Sequence, residues 1–546
     1  LKTRNRSLLI TLSALFLFQP VFAQSSDSNS NILLVSLIVI GIFLLIGIIF
    51  SISDNLLQIE AKKSGADTKK HNYSLFPNIR ELIGRSNPAY TEGNKVYQLK
   101  KGHDIKLEGS ASLKIDKDHR VSRYSVRPPD FRMLPPIPRV VVKEGDEVRA
   151  GDVLFHDKND DRVKYVAPVS GEVTEIRRGA KRAISDVIIL ADKKIKYKSF
   201  KAPDLAKADR NELVEFLMES GGWTFLNQRP FDIIPEPEAI PKNIFISTFD
   251  SAPLAPDLNF VVQGNEEAFQ KGIDLLTKLT PGKVHLGLDA RSDEKQPAAI
   301  FQNAAGAEKS WFSGPHPSGN VGVQIHHVQA INAKEKVWTL GVQEVISLGK
   351  LCLTGKFDAS RTIAVCGTHL KEAKYMQTYL GANIDDLIKD NLQPDNTRIV
   401  AGDVLSGVKV GKDEFLRYQA DQITVLQEGD YFEPFGWLIP GEIRPTISKT
   451  FPAFLFPGMK YEADTNTHGE RRAFVMTGQY EALMPMDILP QHLMKSILMG
   501  DFERMEGLGI YELTEEDVAL CEFACTSKMP LQSILRDGLD MMMEQA

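Results

Sequence analysis

Two segments, VVVKEGDEVRAGDVLFHD (residues 140–157) and YVAPVSGEVTEIRRGAKRAISDVIIL (residues 165–190), decide the first fold assignment. Each sets a Gly-Asp or Ser-Gly turn between short runs in which apolar and polar residues alternate, the pattern of half-buried strands joined by tight hairpins. Gly145 and Gly171 stand where such turns need positive φ, and Pro168 opens a strand at a position that requires no amide donor. Together the two segments spell a small barrel of two sheets.

The pattern resembles the lipoyl and biotinyl carrier fold, in which a lysine on an exposed hairpin receives the prosthetic group. The hairpin here reads FHDKNDDRVK (residues 155–164), acidic and basic, without the small or methionine neighbours of a carrier lysine. Lys158 and Lys164 therefore read as solvated charges, and the barrel as a docking or scaffolding module.

The amino-terminal region bears on location. Lys2, Arg4 and Arg6 precede the apolar run LLITLSALFLF, and Val21-Phe22-Ala23 offers a small residue for cleavage, so residues 1–23 have the layout of a signal peptide. A second apolar stretch, residues 32–52, is long enough to cross a bilayer as one helix. Lys62, Lys63, Lys69 and Lys70 follow it, while QSSDSNSN before it has no basic residue; the positive-inside rule then places the body in the cytoplasm, on a single-pass anchor in the inner membrane. A transmembrane helix without a carboxylate strips no water from an ion, so no ion path is expected through this span.

The remaining body of about 490 residues is enough for three or four domains. The chain has 546 residues and a net charge of −6, with no basic stripe that would suggest nucleic acid. Its four cysteines, Cys352, Cys366, Cys521 and Cys525, are too few and too scattered for a disulfide framework. Residues 53–95, polar and broken by Pro77 and Pro88, read as a linker with a short helix at 78–84. A strand in YQLKKGHDIKLEG (residues 97–109) is expected to pair with the barrel, whose domain spans 96–200.

Beyond Pro241 the rhythm changes. NIFISTFD (243–250) is a buried-strand run, EEAFQKGIDLLTKLT (266–280) places Phe269, Ile273, Leu276 and Leu279 on one helical face, and KVHLGLDA (283–290) is another strand. Strand, helix and strand in succession mark a parallel α/β sheet, here a Rossmann-like domain over 201–360. VGVQIHHV (321–328) reads as a further strand, VWTLGVQEVISLGKLCLTG and RTIAVCG continue the pattern, and KEAKYMQTYLGANIDDLI (371–388) reads as helical. Residues 361–432, with alternating strands and Gly turns over 397–429, resemble the β-grasp, soluble-ligand-binding domain, and 433–546 form a helical domain.

The Gly-rich loop SGPHPSGNVG (313–322) fits neither nucleotide template, lacking both Gly-x-Gly-x-x-Gly after a strand and Gly-Lys-Ser/Thr. Two readings stand: a cradle whose amides hold a phosphate or quinone head group, or a tight turn that packs two elements. A metal on His316, His326 and His327 is not expected, because neighbours on a strand point to opposite faces and no further ligand stands at suitable spacing.

Specific resemblance appears at PMDILPQHLMKSILMGDFERMEGLGIYELTEEDVALCEFAC (485–525), joined in order by EGDEVRAGDVLF, GPHPSGNVG and RYQADQITVL. These motifs resemble the A subunits of the sodium-translocating NADH:quinone oxidoreductases (Na+-NQR) from about residue 97 to the end, although the amino-terminal signal and span depart from that family's pattern. The resemblance implies a cofactor-free subunit, catalytic only within its complex. NADH, FAD, FMN, iron-sulfur and riboflavin then belong to five partner subunits, with quinone as substrate. Trp311, Phe312, His316, Gly319, His326 and Trp338 are candidate quinone contacts. Rival readings are an Rnf-type electron-input subunit or a membrane-anchored export or ligand-binding protein. For the former, Cys521 and Cys525 alone cannot fill a four-ligand cluster; they are expected to pack on one face of a helix.

Overall fold

The computed structural model describes residues 87–546, apart from 118, 394–395, 437–443, 445–446, 448–457 and 546, together with scattered residues between 35 and 53. The chain divides into two units, Leu1–Ser86 and Asn87–Ala546. The signal peptide, most of the expected span and the linker up to residue 86, with its short helix at 78–84, lie outside the described residues; the span residues that are described, among them Val35, Ile38 and Leu45, are helical and exposed. Residues 87–95, expected as the end of the linker, instead pack on the body: Thr91 is buried and the Tyr90 hydroxyl donates to the Ser292 carbonyl at 2.9 Å. Among the described residues, no helix is long and apolar enough to cross a membrane.

The barrel forms as two sheets. One orders its strands Arg123–Val126, Ile184–Ala191, Gly171–Arg178 and Glu147–Val148; the other orders Arg139–Val140, Val153–His156 and Lys164–Val166. Alternation along Gly171–Arg178 buries Val173 while Glu172 and Thr174 stay exposed. Gly145 takes φ +89°, and a Cβ on Gly171 would lie 2.0 Å from the Leu190 carbonyl oxygen, so the second glycine is demanded by close backbone approach. Lys158 is exposed, as a solvated hairpin charge should be, whereas Lys164 is half-buried and donates to the Asp161 carbonyl.

The α/β sheet orders its strands Val96–Gln98, Ala307–Ser313, Val284–Asp289, Ile244–Ser247, Val337–Leu340 and Asn227–Arg229, all parallel except the last. Here the expectation for residues 97–109 is corrected. Val96–Gln98 joins this sheet beside Trp311–Ser313, not the barrel, and Tyr97 stacks on Phe312 with ring centroids 5.0 Å apart. The helix Glu266–Leu279 starts with two glutamates, where the helix dipole favours negative charge, and buries Phe269, Ile273, Leu276 and Leu279 as expected. It packs on the helix Val342–Thr354 at backbone contact: a Cβ on Gly349 would lie 1.7 Å from the Ala268 carbonyl oxygen.

Two further expectations are corrected. VGVQIHHV is the helix Val321–Gln329, not a strand. Its Val321, Val323 and Ile325 alternate, but Val321, Ile325 and Val328 also fall at helical spacing, and burial on both sides hides which period rules. In KEAKYMQTYLGANIDDLI only Ile384–Ile388 is helical; Lys374–Tyr379 is a strand, paired antiparallel with Ser360–Cys366. That sheet runs Val408–Lys409, Thr397–Ala401, Gln422–Gln427, Ser360–Cys366, Lys374–Tyr379 and Ser112–Asp116.

One apolar core is continuous through barrel, α/β sheet and this last sheet. A second joins the helices Pro490–Met499, Glu515–Ala524 and Leu531–Gln545 to Leu99, Phe312 and Val323, so the carboxyl-terminal helices dock on the α/β sheet through buried side chains. Within it Cys521 and Cys525 are both buried, and the Tyr480 hydroxyl donates to Cys525 Sγ at 2.7 Å.

Two glycines separate space from conformation. Gly349→Ala forces an overlap with backbone and is expected to destabilise the chain by about 2–3 kcal/mol in spite of alanine's helix propensity. Gly145→Ala, with nothing within 4 Å of the new Cβ, is expected to lose only about 1 kcal/mol from its positive φ. Urea denaturation of the purified variants measures both, and equal losses would refute the packing argument.

Candidate functional site

In the α/β sheet the chain leaves the strand Ile244–Ser247 toward Val284–Asp289 and Ala307–Ser313, then returns to Val337–Leu340 on the other side. The strand order therefore reverses between Ile244–Ser247 and Val337–Leu340, and open α/β sheets bind ligands in the crevice at the carboxyl ends of such strands. A cleft of about 450 Å³ lies there, lined by Ser247, Phe249 and Asp250 after the first strand and by Leu340, Gly341 and Val342 after the other. Gly402, Asp403 and Ser406 of the neighbouring sheet and Thr514, Glu515 and Glu516 of the helical region close it.

The charges of this cleft oppose a nucleotide. Asp232, Asp250, Glu344, Asp403, Asp421, Glu515 and Glu516 line it against Arg132 and Arg229 alone. Both arginines are already paired: Arg132 with Asp232 at 2.9 Å and Glu515 at 2.6 Å, Arg229 with Asp517 at 2.9 Å and Glu516 at 2.6 Å. Arg361 is shared between Glu344 and Asp421, one cation for two carboxylates. A diphosphate entering here meets like charge in a region of reduced screening, so the residues present do not fit a flavin or nicotinamide nucleotide. Burial, reinforced by Asp403, pushes the Asp250 carboxyl up to about 6. Burial also raises Glu516, against the pull of Arg229. No group of three or more metal-ligating side chains occurs among the described residues.

Of the six candidate contacts, only Gly319 lines this cleft. Trp311 and Phe312 follow one another on a strand, so they face opposite sides; Trp311 lies against Tyr90 at 5.6 Å and Phe312 against Tyr97. Trp338 is wholly buried, edge-on to Trp223 at 5.3 Å. His316 Nδ1 pairs with Ser251 Oγ at 3.1 Å, and burial lowers this imidazole to about 4, which keeps it neutral. His326 and His327, on one helix, both hold the carboxyl-terminal region: His326 bonds Glu512 Oε2 at 2.7 Å and accepts from the Asp487 amide at 3.0 Å, and His327 donates to the Pro485 carbonyl at 2.7 Å.

The Gly-rich loop spends its amides on the chain itself. His316 N donates to Asp104 Oδ1, Ser318 N to the Pro315 carbonyl, Gly319 N to Ser251 Oγ and Asn320 N to the Pro317 carbonyl. Of the two readings of this loop, the packed turn is the one its hydrogen bonds describe. Gly322 shows why glycine is needed: its missing Cβ would lie 2.4 Å from Arg229 Nη1 and 2.5 Å from Asp517 Oδ2. That pair is buried, with 3% of the arginine side chain and none of the aspartate exposed. Sequence reasoning missed Arg229, which carries no local signal. Thr514 and Asp517 at T-x-x-D spacing were readable as the capping box they form, and Asp250 as the acid ending a buried strand.

Two variants probe the site. Gly322→Ala drives a methyl into the Arg229–Asp517 pair and is expected to cost about 3–5 kcal/mol, as breaking a buried pair does. Asp250 has a folded-state pKa above its unfolded value, so the protonated acid stabilises the fold below about pH 4 and that contribution is lost as pH rises through 6. Asp250→Asn keeps the acceptor for the Ala252 amide and removes the ionisation, so it is expected to gain about 1–3 kcal/mol over the parent at pH 8 and nothing at pH 4. Thermal melts at the two pH values measure this; an equal effect at both would refute the assignment.

Comparison with known proteins agrees with this architecture. Three family models match in order: the NqrA N-terminal barrel-sandwich hybrid domain over residues 97–192, the NqrA second alpha/beta domain over 208–357 and the NQRA C-terminal domain over 362–412. The A subunit of the Na(+)-translocating NADH-quinone reductase from Alcanivorax borkumensis is 36% identical over 448 residues, covering 81% of this chain and 98% of the relative. The protein of the same name from Vibrio campbellii is 35% identical over 450 residues, covering 82% and 99%. Among solved structures, an NAD+-reducing [NiFe]-hydrogenase in the air-oxidized state aligns over 64% of this chain and 67% of its own at 11% identity, with a TM-score of 0.30, too low to carry an argument. By the family models and the extent of identity, the chain belongs to the NqrA family, the A subunits of the Na(+)-translocating NADH-quinone reductases.

Proposed function

We propose that this chain works as the A subunit of a multi-subunit, sodium-translocating NADH:quinone reductase, catalytic only within the complex, and that it contributes a quinone-facing surface without binding a redox cofactor. The observation that carries this reading is the match along nearly the whole length of relatives bearing that name, in register with the three family domains. The rival readings, an export or ligand-binding protein and an Rnf-type input subunit, have no comparable support.

The physical role of the chain's own residues is positional. A continuous core, two paired arginines and two histidines hold barrel, sheets and helices as one body that can dock against partners. The acidic lining of the switch-point cleft supports placing the phosphate-bearing NADH, FAD and FMN on the five other subunits, to which the family resemblance also assigns iron-sulfur and riboflavin. The apolar stretch at 32–52 is the proposed anchor in the inner membrane, with the body in the cytoplasm; a tether of this kind raises the effective concentration of the body near its partners. Sodium movement is assigned to those partners. Within this chain the six candidates of the loop region and its neighbours remain proposed quinone contacts, of which Gly319 lines the switch-point cleft.

Affinity-tagged chain recovered from gently solubilised membranes is expected to bring down the partner subunits, and the preparation to reduce a short-chain quinone with NADH faster when Na+ is added. Recovery of the chain alone from membranes that carry this activity would overturn the reading.

A further inference from the structure

The acidic switch-point cleft turns a phosphate away, and the same charge selects a ligand of the opposite sign. Five of its seven carboxylates already face a guanidinium: Asp232 and Glu515 share Arg132, Glu344 and Asp421 share Arg361, and Glu516 meets Arg229. Asp250 and Asp403 are left over, with no ion pair among the described residues. Arg291 comes near Asp250, but its guanidinium is committed to Asp289 at 2.7 Å and touches Asp250 only at the backbone carbonyl. Asp250 accepts from the Ala252 amide and Asp403 from the amides of Leu405 and Ser406, so each carboxylate is held in place without being neutralised. The charge of Asp403 helps to push the Asp250 carboxyl up, as like charges facing one cavity do.

A second observation points to an occupant. Thr339, on the strand Val337–Leu340, lines the same cleft and is only 6% exposed, yet its hydroxyl bonds no protein group among the described residues. A hydroxyl shut away from bulk water and left unpaired costs free energy until a guest completes it. Asn320 donates Nδ2 to the Glu516 carbonyl at 3.1 Å, which leaves its Oδ1 as a further acceptor on the lining. Phe249, Leu258, Leu340 and Val342 add apolar surface. A hollow of about 240 Å³ adjoins the cleft and shares Arg132, Asn227, Asp232 and Gly402 with it, so the space exceeds what one ion needs. An inorganic cation also asks for a closer shell of ligands than the described residues assemble.

We propose that the cleft binds a linear aliphatic polyamine, with one ammonium seated at Asp250 and Asp403 and the methylene chain lying along Phe249 and Leu340. An ammonium has three donors and no acceptor, and Asp250, Asp403, Thr339 and Asn320 offer it acceptors that nothing in the chain uses up. The methylenes between ammonium groups cover apolar surface as a lysine stem does. More than one positive charge is called for, because Arg132, Arg229 and Arg361 each serve two carboxylates and leave every such group net negative. The occupant bridges the α/β sheet at Asp250, the neighbouring sheet at Asp403 and the carboxyl-terminal helices at Glu516, so binding stabilises the arrangement of all three. The inference stands on this cavity and does not depend on where the complex reduces its quinone.

The test is isothermal titration of the full-length chain, in neutral detergent and at physiological salt, with spermidine. Saturable binding of one spermidine per chain, accompanied by a raised melting temperature, is the expected result. Asp403→Asn is expected to weaken binding about tenfold or more and Thr339→Val about threefold, whereas Asp161→Asn, an exposed acid on the barrel hairpin, leaves it unchanged. Thermal melts confirm that each variant folds, and Asp250→Asn, expected above to be more stable than the parent at pH 8, shows the same tenfold loss in a chain whose folding is secure. Uptake without saturation, or equal affinity in the parent, Asp403→Asn and Asp250→Asn, would overturn the proposal by reducing it to surface charge. Binding of Na+ or Mg2+ that displaces spermidine and vanishes in the same variants would assign the cleft to an inorganic ion and overturn it as well.

Discussion

The buried ion pair between Arg229 and Asp517 ties the carboxyl-terminal helices to the edge of the α/β sheet. Arg229 ends the edge strand Asn227–Arg229; Asp517 caps the helix Glu515–Ala524, accepting from the Thr514 amide at 2.9 Å. Two charges taken out of water are stable only as a pair, and removing either leaves the other buried at a cost of several kcal/mol. The contact therefore has one geometry, and Gly322 is the residue whose missing side chain leaves room for it. With the helices fixed by this pair and by Arg132, His326 and His327, the switch-point cleft acquires its last wall, Thr514–Glu516.

The switch-point cleft occupies the position where doubly wound sheets hold nucleotides, yet its own residues make it acidic, with Asp250 and Glu516 both pushed toward protonation. Position in a fold and function of a site are separate matters, and the side chains decide between them.

The Gly-rich loop shows how one sequence pattern serves a different end from the one its composition suggests. Glycines freed a run of amides, but these turn inward to Asp104, Ser251 and neighbouring carbonyls. Its histidines divide in the same way. His316 is a neutral buried group on the loop, while His326 and His327 sit on a helix and clasp the region 485–512. A strand and a helix differ in where adjacent residues point, so the misread period of VGVQIHHV also misassigned what its histidines reach.

The sequence by itself determined whatever depends on neighbours along the chain. The barrel hairpins follow from alternation and turn glycines, the helix Glu266–Leu279 from its apolar spacing, the capping box from T-x-x-D, and family membership from motifs in a fixed order. Tertiary structure alone decided what depends on partners far apart in sequence. Val96–Gln98 chose Trp311–Ser313 over the nearby barrel, and Ser112–Asp116 lies beside Lys374–Tyr379. Arg229 found Asp517 across 288 positions. A strand's pattern states which face is buried but not against which edge, and an isolated arginine states a charge but not its counterpart; both are settled only when the packed core leaves a single arrangement free of unpaired buried charge.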